Sequence, residues 1–107
     1  MVSPPSVAPN LLDGRKLSSP QSVAVDSSSS PAVIYVVDAG NNRVLGWKDY
    51  NTYSNGAPAD IVLGQKDFQG SQARTGAGGL YAPASVAVDS KGNVFVVDAG
   101  NNRVVRY

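Results

Sequence analysis

The chain has 107 residues and a formal net charge of +1, and it contains no cysteine, no histidine and no glutamate. So small a charge provides no general attraction for nucleic acid or an acidic membrane surface, and the lack of cysteine excludes disulfides and thiol chemistry. Abundant Val, Ser, Asn, Gly and Pro, with few strong helix formers, predict a single all-β domain.

The amino-terminal decapeptide, MVSPPSVAPN, lacks the basic region and apolar run of a secretory signal. No stretch approaches the ~20 apolar residues that cross a bilayer. The sequence therefore predicts a soluble chain without membrane contact. Its compartment stays open, because a longer parent protein could carry a signal peptide of its own.

Four strands are predicted in the first part of the chain: residues 22–26, 33–38, 42–48 and 60–65. The second of them alternates Ile and Val with Tyr and Val, so that both of its faces are apolar. A sheet that is apolar on both faces must be covered on both sides. The pattern therefore predicts an antiparallel sheet packed between two further layers.

Most of this unit occurs a second time. The segment 17–26 pairs with 80–89, sharing P-x-S-V-A-V-D, and the nonamer VVDAGNNRV of 36–44 returns letter for letter at 96–104. The first unit carries three extra residues in a Ser-rich turn, where an insertion leaves the strand register intact. Three strands are predicted in the second unit: residues 85–89, 93–98 and 102–107.

These repeated units resemble the NHL-repeat β-propeller family, through P-x-S-V-A-V-D, the apolar strand ending in V-V-D, and A-G-N-N-R-V. The spacer 55–68 is similar to that of the longer-period bacterial branch, so a secreted bacterial parent is one alternative for its source. The resemblance implies four-stranded antiparallel blades in a ring of about six. Two blades leave apolar faces open, so we expect a homotrimer that closes a six-bladed propeller, with dimers, tetramers and other rings as alternatives.

The expected organisation has four parts: an amino-terminal arm at 1–16, blade 1 at 17–68, a linker at 69–82, and a three-stranded blade 2 at 83–107. The arm is expected to supply a fourth strand to a blade of the next subunit. This expectation rests on a weak alignment of 9–16 with 59–66, which superposes Gly14 on Gly64 and Lys16 on Lys66.

The hexapeptide DAGNNR contains residue types that occur in metal-binding loops. Calcium loops need several carboxylates, however, and each copy offers a single Asp, so no metal site is expected. We interpret the hexapeptide as a tight hairpin, in which Gly40 and Asn41 tolerate positive φ and the arginine pairs with a strand-end aspartate within or between blades. The structural signature of the repeat is then Asp38, Asn42, Arg43, Asp98, Asn102 and Arg103.

No catalytic residues and no cofactor are expected. Zinc-dependent lyase relatives of the family need imidazole ligands, and a serine nucleophile needs a base, whereas this chain has no His and its four lysines have no motif around them. The glycine-rich run 76–79 lacks the spacing of a phosphate-binding loop. The sequence therefore predicts a protein that is not an enzyme.

The long connections mix aromatic and adaptable polar side chains, as loops that recognise proteins or sugars do. The candidate ligand-binding residues are Tyr50, Tyr53, Asn55, Phe68, Arg74 and Tyr81. The alternative is that the aromatic side chains fold back over the blade edges. Two functions stay open: a propeller fragment that self-assembles without a ligand of its own, and a module that binds a protein, peptide or glycan through its loop face or central channel. Nucleic acid is not an expected partner.

Overall fold

The computed structural model describes residues 13–107, which form two antiparallel sheets of four and three strands. The strands of blade 1 are β1 (Pro20–Asp26), β2 (Val33–Asp38), β3 (Arg43–Trp47) and β4 (Ile61–Leu63), and those of blade 2 are β5 (Ser85–Val88), β6 (Val94–Asp98) and β7 (Arg103–Arg106). Neighbouring strands follow one another in the chain, as in propeller blades. The all-β class is confirmed. Across residues 13–107, no helix is long and apolar enough to span a membrane.

The observed strands lie close to the predicted ones. β2 has the predicted bounds, β1 begins two residues earlier, and β4 is limited to the three residues Ile61–Leu63. The alternation of side chains along β1 to β3 follows the expected pleat, because each antiparallel pair is in continuous register apart from one irregularity at Pro20. The stretch expected to act as a fourth strand lies mostly before residue 13, outside the described residues.

The hairpin between β2 and β3 is a 3₁₀ turn, Ala39–Asn41, and the same turn joins β6 to β7. The left-handed residue of this turn is Asn42, with φ of 55°, and neither Gly40 nor Asn41 uses its tolerance of positive φ. An asparagine accepts this conformation more readily than other residues with a Cβ. Gly40 is required for a different reason, since a Cβ there would lie 2.7 Å from the Ser18 carbonyl oxygen.

The main hydrophobic core lies between the two blades. On blade 1, Tyr35, Val37 and Val44 form its buried face, and they pack against a valine face of blade 2, which consists of Val86, Val94 and Val96. Strands β1 and β5 are in contact, so the first strands of both blades lie on the same side of this core. One face of each blade is thereby removed from water.

A second, smaller core lies on the opposite face of blade 1. Leu45, Trp47 and Ala59 are buried there beneath the connection between β3 and β4. The Trp47 indole N–H donates to the Ala57 carbonyl at 2.9 Å, and the Trp47 ring meets the Tyr53 ring edge-on at 5.5 Å. The connection therefore covers the β3 and β4 part of this face and leaves the β1 part open.

Candidate functional site

A cluster of three polar side chains lies at the hairpin of blade 1: the buried Asp38 and Arg43 and the half-buried Asn41. Arg43 Nε donates to Asp38 Oδ2 at 2.8 Å, and Asn41 Nδ2 donates to the same oxygen at 2.9 Å. Asp38 Oδ1 accepts the backbone N–H of Ser18 at 2.6 Å. Both charged side chains are completely buried. We call this group the blade 1 cluster.

The remaining donors of Arg43 bind the backbone of segments distant in sequence. Nη2 donates to the Asp13 and Lys16 carbonyls, each at 2.7 Å, and Nη1 donates to the Phe68 carbonyl at 2.6 Å. A buried guanidinium is tolerated only when its charge is paired and its N–H groups are satisfied, as they are here. Arg43 therefore fastens the segment before β1 and the connection after β4 to the hairpin.

Blade 2 contains the same arrangement, the blade 2 cluster of Asp98, Asn101 and Arg103. Arg103 Nε and Asn101 Nδ2 both donate to Asp98 Oδ2 at 2.8 Å, and Asp98 Oδ1 accepts the Tyr81 N–H at 2.7 Å. The backbone acceptors of the guanidinium are the carbonyls of Thr75, Gly76 and Gly79. Both copies of the hexapeptide thus build the same hydrogen-bonded unit.

The hydrogen bonds of Arg43 and Arg103 also show which segments of the two repeated units are equivalent. Asp13 and Lys16 take the places at Arg43 that Gly76 and Gly79 take at Arg103. The structure therefore matches residues 13–16 with 76–79, whereas the sequence alignment matched Lys16 with Lys66. The reason is that the shared contact is made by backbone carbonyls, which leave no pattern in the side chains.

The Asp98 carboxylate is held in its charged form. Burial alone would raise its pKa, but hydrogen bonds from the Tyr81 N–H, Asn101 and Arg103, together with the charge of Arg103, hold the pKa below its ordinary value. A carboxylate that is ionised and fully hydrogen-bonded near neutral pH neither donates nor takes up a proton there. The geometry is that of a structural ion pair.

Residues 80–107, which contain β5, β6, β7 and the blade 2 cluster, match the family model of the NHL repeat. This part of the chain is an NHL repeat. No match to the chain was found among the curated proteins. The polar cluster and the strand order of the matched residues recur in blade 1, outside the match.

The two clusters differ in their surroundings. The Arg43 side chain is fully buried, whereas that of Arg103 is 30% exposed. Asn42 Nδ2 donates to the Ser71 carbonyl and Asn42 Oδ1 accepts the Ala82 N–H, each at 2.8 Å. No hydrogen bond links the side chain of Asn102 to another residue within 13–107. The blade 2 cluster therefore lacks the covering segment that the blade 1 cluster has.

The candidate ligand-binding residues form two groups. Tyr50, Tyr53 and Asn55 lie in the β3–β4 connection, while Phe68, Arg74 and Tyr81 lie in the β4–β5 connection. In an antiparallel sheet of this order, these two connections leave from opposite ends of the strands. Two of the six nevertheless meet the same buried cluster, because Tyr53 packs on Trp47 and Phe68 packs on the cluster of Leu45, Trp47 and Ala59. Of the six, Arg74 alone lines the pocket described next.

An open pocket of about 370 Å³ lies in the β4–β5 connection. Its lining residues are Gln65, Lys66, Asp67, Gly70, Gln72 and Arg74. Of these, only Arg74 was among the ligand-binding residues predicted from the sequence. The feature of the sequence that could have indicated the pocket is the pair of cations, Lys66 and Arg74, on either side of a stretch that contains glutamine. Within the described part of the chain, no group of three Asp, Glu, His or Cys side chains could hold a metal ion.

Each blade also presents an exposed apolar face. On blade 1 the exposed side chains are Val23 and Val25, and on blade 2 they are Val97 and Val104. We call these the open faces of the two blades.

Proposed function

We propose that this NHL-repeat chain is a non-enzymatic propeller module that assembles head to tail with copies of itself, three copies forming a six-bladed ring. One observation carries the proposal. The two open faces are the repeat counterparts of the two faces that pack against each other inside the chain.

The open face of blade 1 corresponds to the covered face of blade 2. Val23 is the counterpart of Val86, and Val36 is that of Val96, at the same positions of the first and second strands. Val86 and Val96 are buried against blade 1. The open face of blade 1 thus has the shape of a surface that already accepts a blade.

The open face of blade 2 corresponds, in turn, to the covered face of blade 1. Val97 and Val104 are the counterparts of Val37 and Val44, which are buried in the core between the blades. A second copy can therefore place its blade 1 on this blade 2 with the packing that the chain uses internally. Because the two contacting surfaces differ, the contact is heterologous, and repeating it by rotation closes a ring.

Measurement of the mass in solution tests this proposal. Each chain brings two blades and 11.1 kDa, so three copies would give 3 × 11.1 kDa, about 33 kDa, in light scattering or native mass spectrometry. A stable monomer at high protein concentration would contradict assembly. A mass that corresponds to a different number of copies would leave the head-to-tail contact in place, but the ring would then have a number of blades other than six.

A second candidate function is recognition of a carboxylate-bearing peptide or glycan in the pocket of the β4–β5 connection. Two of its lining residues, Lys66 and Arg74, are cationic, and among residues 13–107 their side chains donate no hydrogen bond. The one carboxylate in the lining, Asp67, accepts the Gln69 and Gly70 backbone N–H groups through one oxygen, each at 3.0 Å. The free donors therefore favour an anionic ligand.

Arrays of acidic peptides and acidic glycans test this candidate. The assembled wild-type chain should retain ligands that the Lys66→Ala and Arg74→Ala variants release. Lys91→Ala is the matched control, because this exposed lysine lies in the turn between β5 and β6, at the other end of the strands. Equal binding by all variants would exclude the pocket.

A further inference from the structure

Each blade is entered through a residue with left-handed backbone, and the two residues are repeat counterparts. Ser19 has φ of 53° and Ala82 has φ of 46°, and both lie directly before a proline. Residues with a Cβ are uncommon in this conformation, and neither side chain is the asparagine or aspartate that favours it. Its occurrence at equivalent positions therefore shows that the fold of the repeat holds the backbone at this point.

The peptide unit in front of these residues is held in the same way in both blades. In blade 1, the Ser18 N–H donates to Asp38 Oδ1 at 2.6 Å, and the Ser18 carbonyl accepts the Gly40 N–H at 2.8 Å. In blade 2, the Tyr81 N–H donates to Asp98 Oδ1 at 2.7 Å, and the Tyr81 carbonyl accepts the N–H of the hairpin glycine at 2.8 Å. A peptide unit is planar, so the fixed carbonyl sets the direction of the N–H on its other side. The N–H of the next residue is therefore presented alike in both blades.

In blade 2, this N–H binds a side chain of blade 1. The Ala82 N–H donates to Asn42 Oδ1 at 2.8 Å. Asn42 ends the hairpin turn of blade 1 with φ of 55° and ψ of 45°, and its Nδ2 donates to the Ser71 carbonyl, so the amide is held with its oxygen toward blade 2. Val44 and Leu80, two residues from Asn42 and Ala82 respectively, are buried in the core between the blades. Asn42 thus links the hairpin of the preceding blade to the backbone of the following blade.

Asn102 presents the same group on blade 2. Its φ of 54° and ψ of 46° match those of Asn42, and in both turns the backbone N–H of this asparagine donates to the carbonyl of the first turn residue at 3.1 Å. Within residues 13–107, the Asn102 side chain and the Ser19 N–H have no hydrogen-bond partner. The Asn102 amide oxygen is therefore an acceptor at the open face of blade 2, and the Ser19 N–H is a donor at the open face of blade 1.

We propose that the Asn102 amide oxygen of one copy accepts the Ser19 N–H of a second copy. The proposal rests on the head-to-tail assembly argued above and deepens it by naming a polar contact of that interface. In the assembly, blade 2 of one copy precedes blade 1 of the next, as blade 1 precedes blade 2 within the chain. Asn102 and Ser19 are then in the places that Asn42 and Ala82 occupy inside the chain.

This bond gives the interface a direction. Packing of the valine faces is favourable in many orientations, because the hydrophobic effect has no directional preference, whereas a hydrogen bond weakens steeply when its angle departs from linear. The donor belongs to blade 1 and the acceptor to blade 2, so two blade 1 faces brought together would leave both Ser19 N–H groups without the Asn102 oxygen. Asn102 therefore favours the head-to-tail contact over contacts between like faces, and it is a residue that determines the specificity of assembly.

Hydrogen exchange of the Ser19 backbone amide, read at single-residue resolution by mass spectrometry, tests the bond. In the assembled wild-type chain this amide should exchange at least about tenfold more slowly than in the same chain diluted until it dissociates. Asn102→Gly should remove the protection and weaken assembly about fivefold, as expected for one ordinary hydrogen bond at each contact. Glycine keeps the left-handed turn, so the hairpin itself is retained. Asn102→Asp retains an acceptor oxygen and should retain the protection of Ser19.

Asn42→Gly is the matched control, since it removes the same side chain from the bond inside the chain. It should expose the Ala82 N–H to exchange and leave Ser19 protected. A Ser19 N–H that exchanges freely in the assembled wild-type chain, or that stays protected in assembled Asn102→Gly, would overturn the bond and leave head-to-tail packing in place. A wild-type chain that stays monomeric at high concentration would remove both the bond and the proposed assembly.

Discussion

Val104 is the counterpart of Val44 on the third strand of its blade, yet Val104 is 64% exposed while Val44 is completely buried. The two valines occupy equivalent positions in equivalent sheets. The difference arises because blade 2 packs against Val44 and nothing within residues 13–107 packs against Val104. The exposure of Val104 is therefore the observation on which the proposed head-to-tail contact can be tested.

Val104→Asp should abolish assembly and leave the fold of the single chain intact. The side chain is exposed in the isolated chain, so the carboxylate stays in water there, whereas the packed interface would bury it without a counter-ion at a cost of several kcal/mol. Analytical ultracentrifugation should show monomers with an unchanged circular dichroism spectrum. Ser90→Asp, in an exposed turn, is the control. A Val104→Asp variant with wild-type mass would contradict the interface.

Arg43→Ala should destabilise the chain more than Arg103→Ala. Removing Arg43 leaves the Asp38 carboxylate buried without its ion-pair partner, which costs about 3–5 kcal/mol. Arg103 makes the same pair with Asp98, but its side chain is partly exposed, so water reaches the site and the loss should be smaller. Urea denaturation of the two variants under conditions that keep them monomeric measures the difference. If both variants lost the same free energy of unfolding, the different burial of Arg43 and Arg103 would have no effect on stability.

Gly40→Ala should lower the free energy of unfolding by about 1–3 kcal/mol, the range for overpacking. The new Cβ would lie 2.7 Å from the Ser18 carbonyl oxygen. The Ser18 backbone cannot move away without breaking the hydrogen bond that the Gly40 N–H donates to the same oxygen. Gly76→Ala is the matched control, since nothing lies within 4 Å of a Cβ there. Thermal denaturation should show a large shift for the first variant and little change for the second.

The stability that Asp98 provides should depend on pH. Its pKa is lowered in the folded chain, relative to about 3.9 for an unfolded aspartate. The contribution is therefore fully present above about pH 4 and is lost as the pH falls through the lower folded pKa. Asp98→Asn should be less stable than wild type near neutral pH, and the gap should narrow in acid. Urea titrations between neutral and acidic pH measure the difference in free energy of unfolding between the two proteins. If this difference does not change with pH, the ion pair is not its source.

Much of the local structure could be predicted from the sequence. The alternation in β2 and its repetition in β6 identified the strands and the two apolar faces, because side chains alternate by necessity along a pleated strand. The hairpin was located correctly, but the sequence did not single out Asn42 as its left-handed residue. A glycine is required at position 40 because Ser18, which is distant in the chain, lies too close to leave room for a Cβ.

The hydrogen-bond partners of Arg43 could not be predicted in full. The sequence suggested an aspartate, and Asp38 is the one it meets, but the Asp13, Lys16 and Phe68 acceptors are backbone carbonyls. Every residue has such a carbonyl, so nothing in the order of side chains distinguishes those that an arginine will reach. The pocket at Lys66 escaped notice for a similar reason, since its lining comes together only when the connection folds.

The sequence by itself determined which residues form strands, which faces are apolar, and that the unit is repeated, because these properties follow from the spacing of side chains along the chain. Only the tertiary structure decided which of the repeated faces is covered. Val44 and Val104 both end a copy of the same nonamer, and their burial differs because a second blade packs against Val44 alone within residues 13–107. Burial depends on what lies across space from a residue, and that is set by the packing of whole blades.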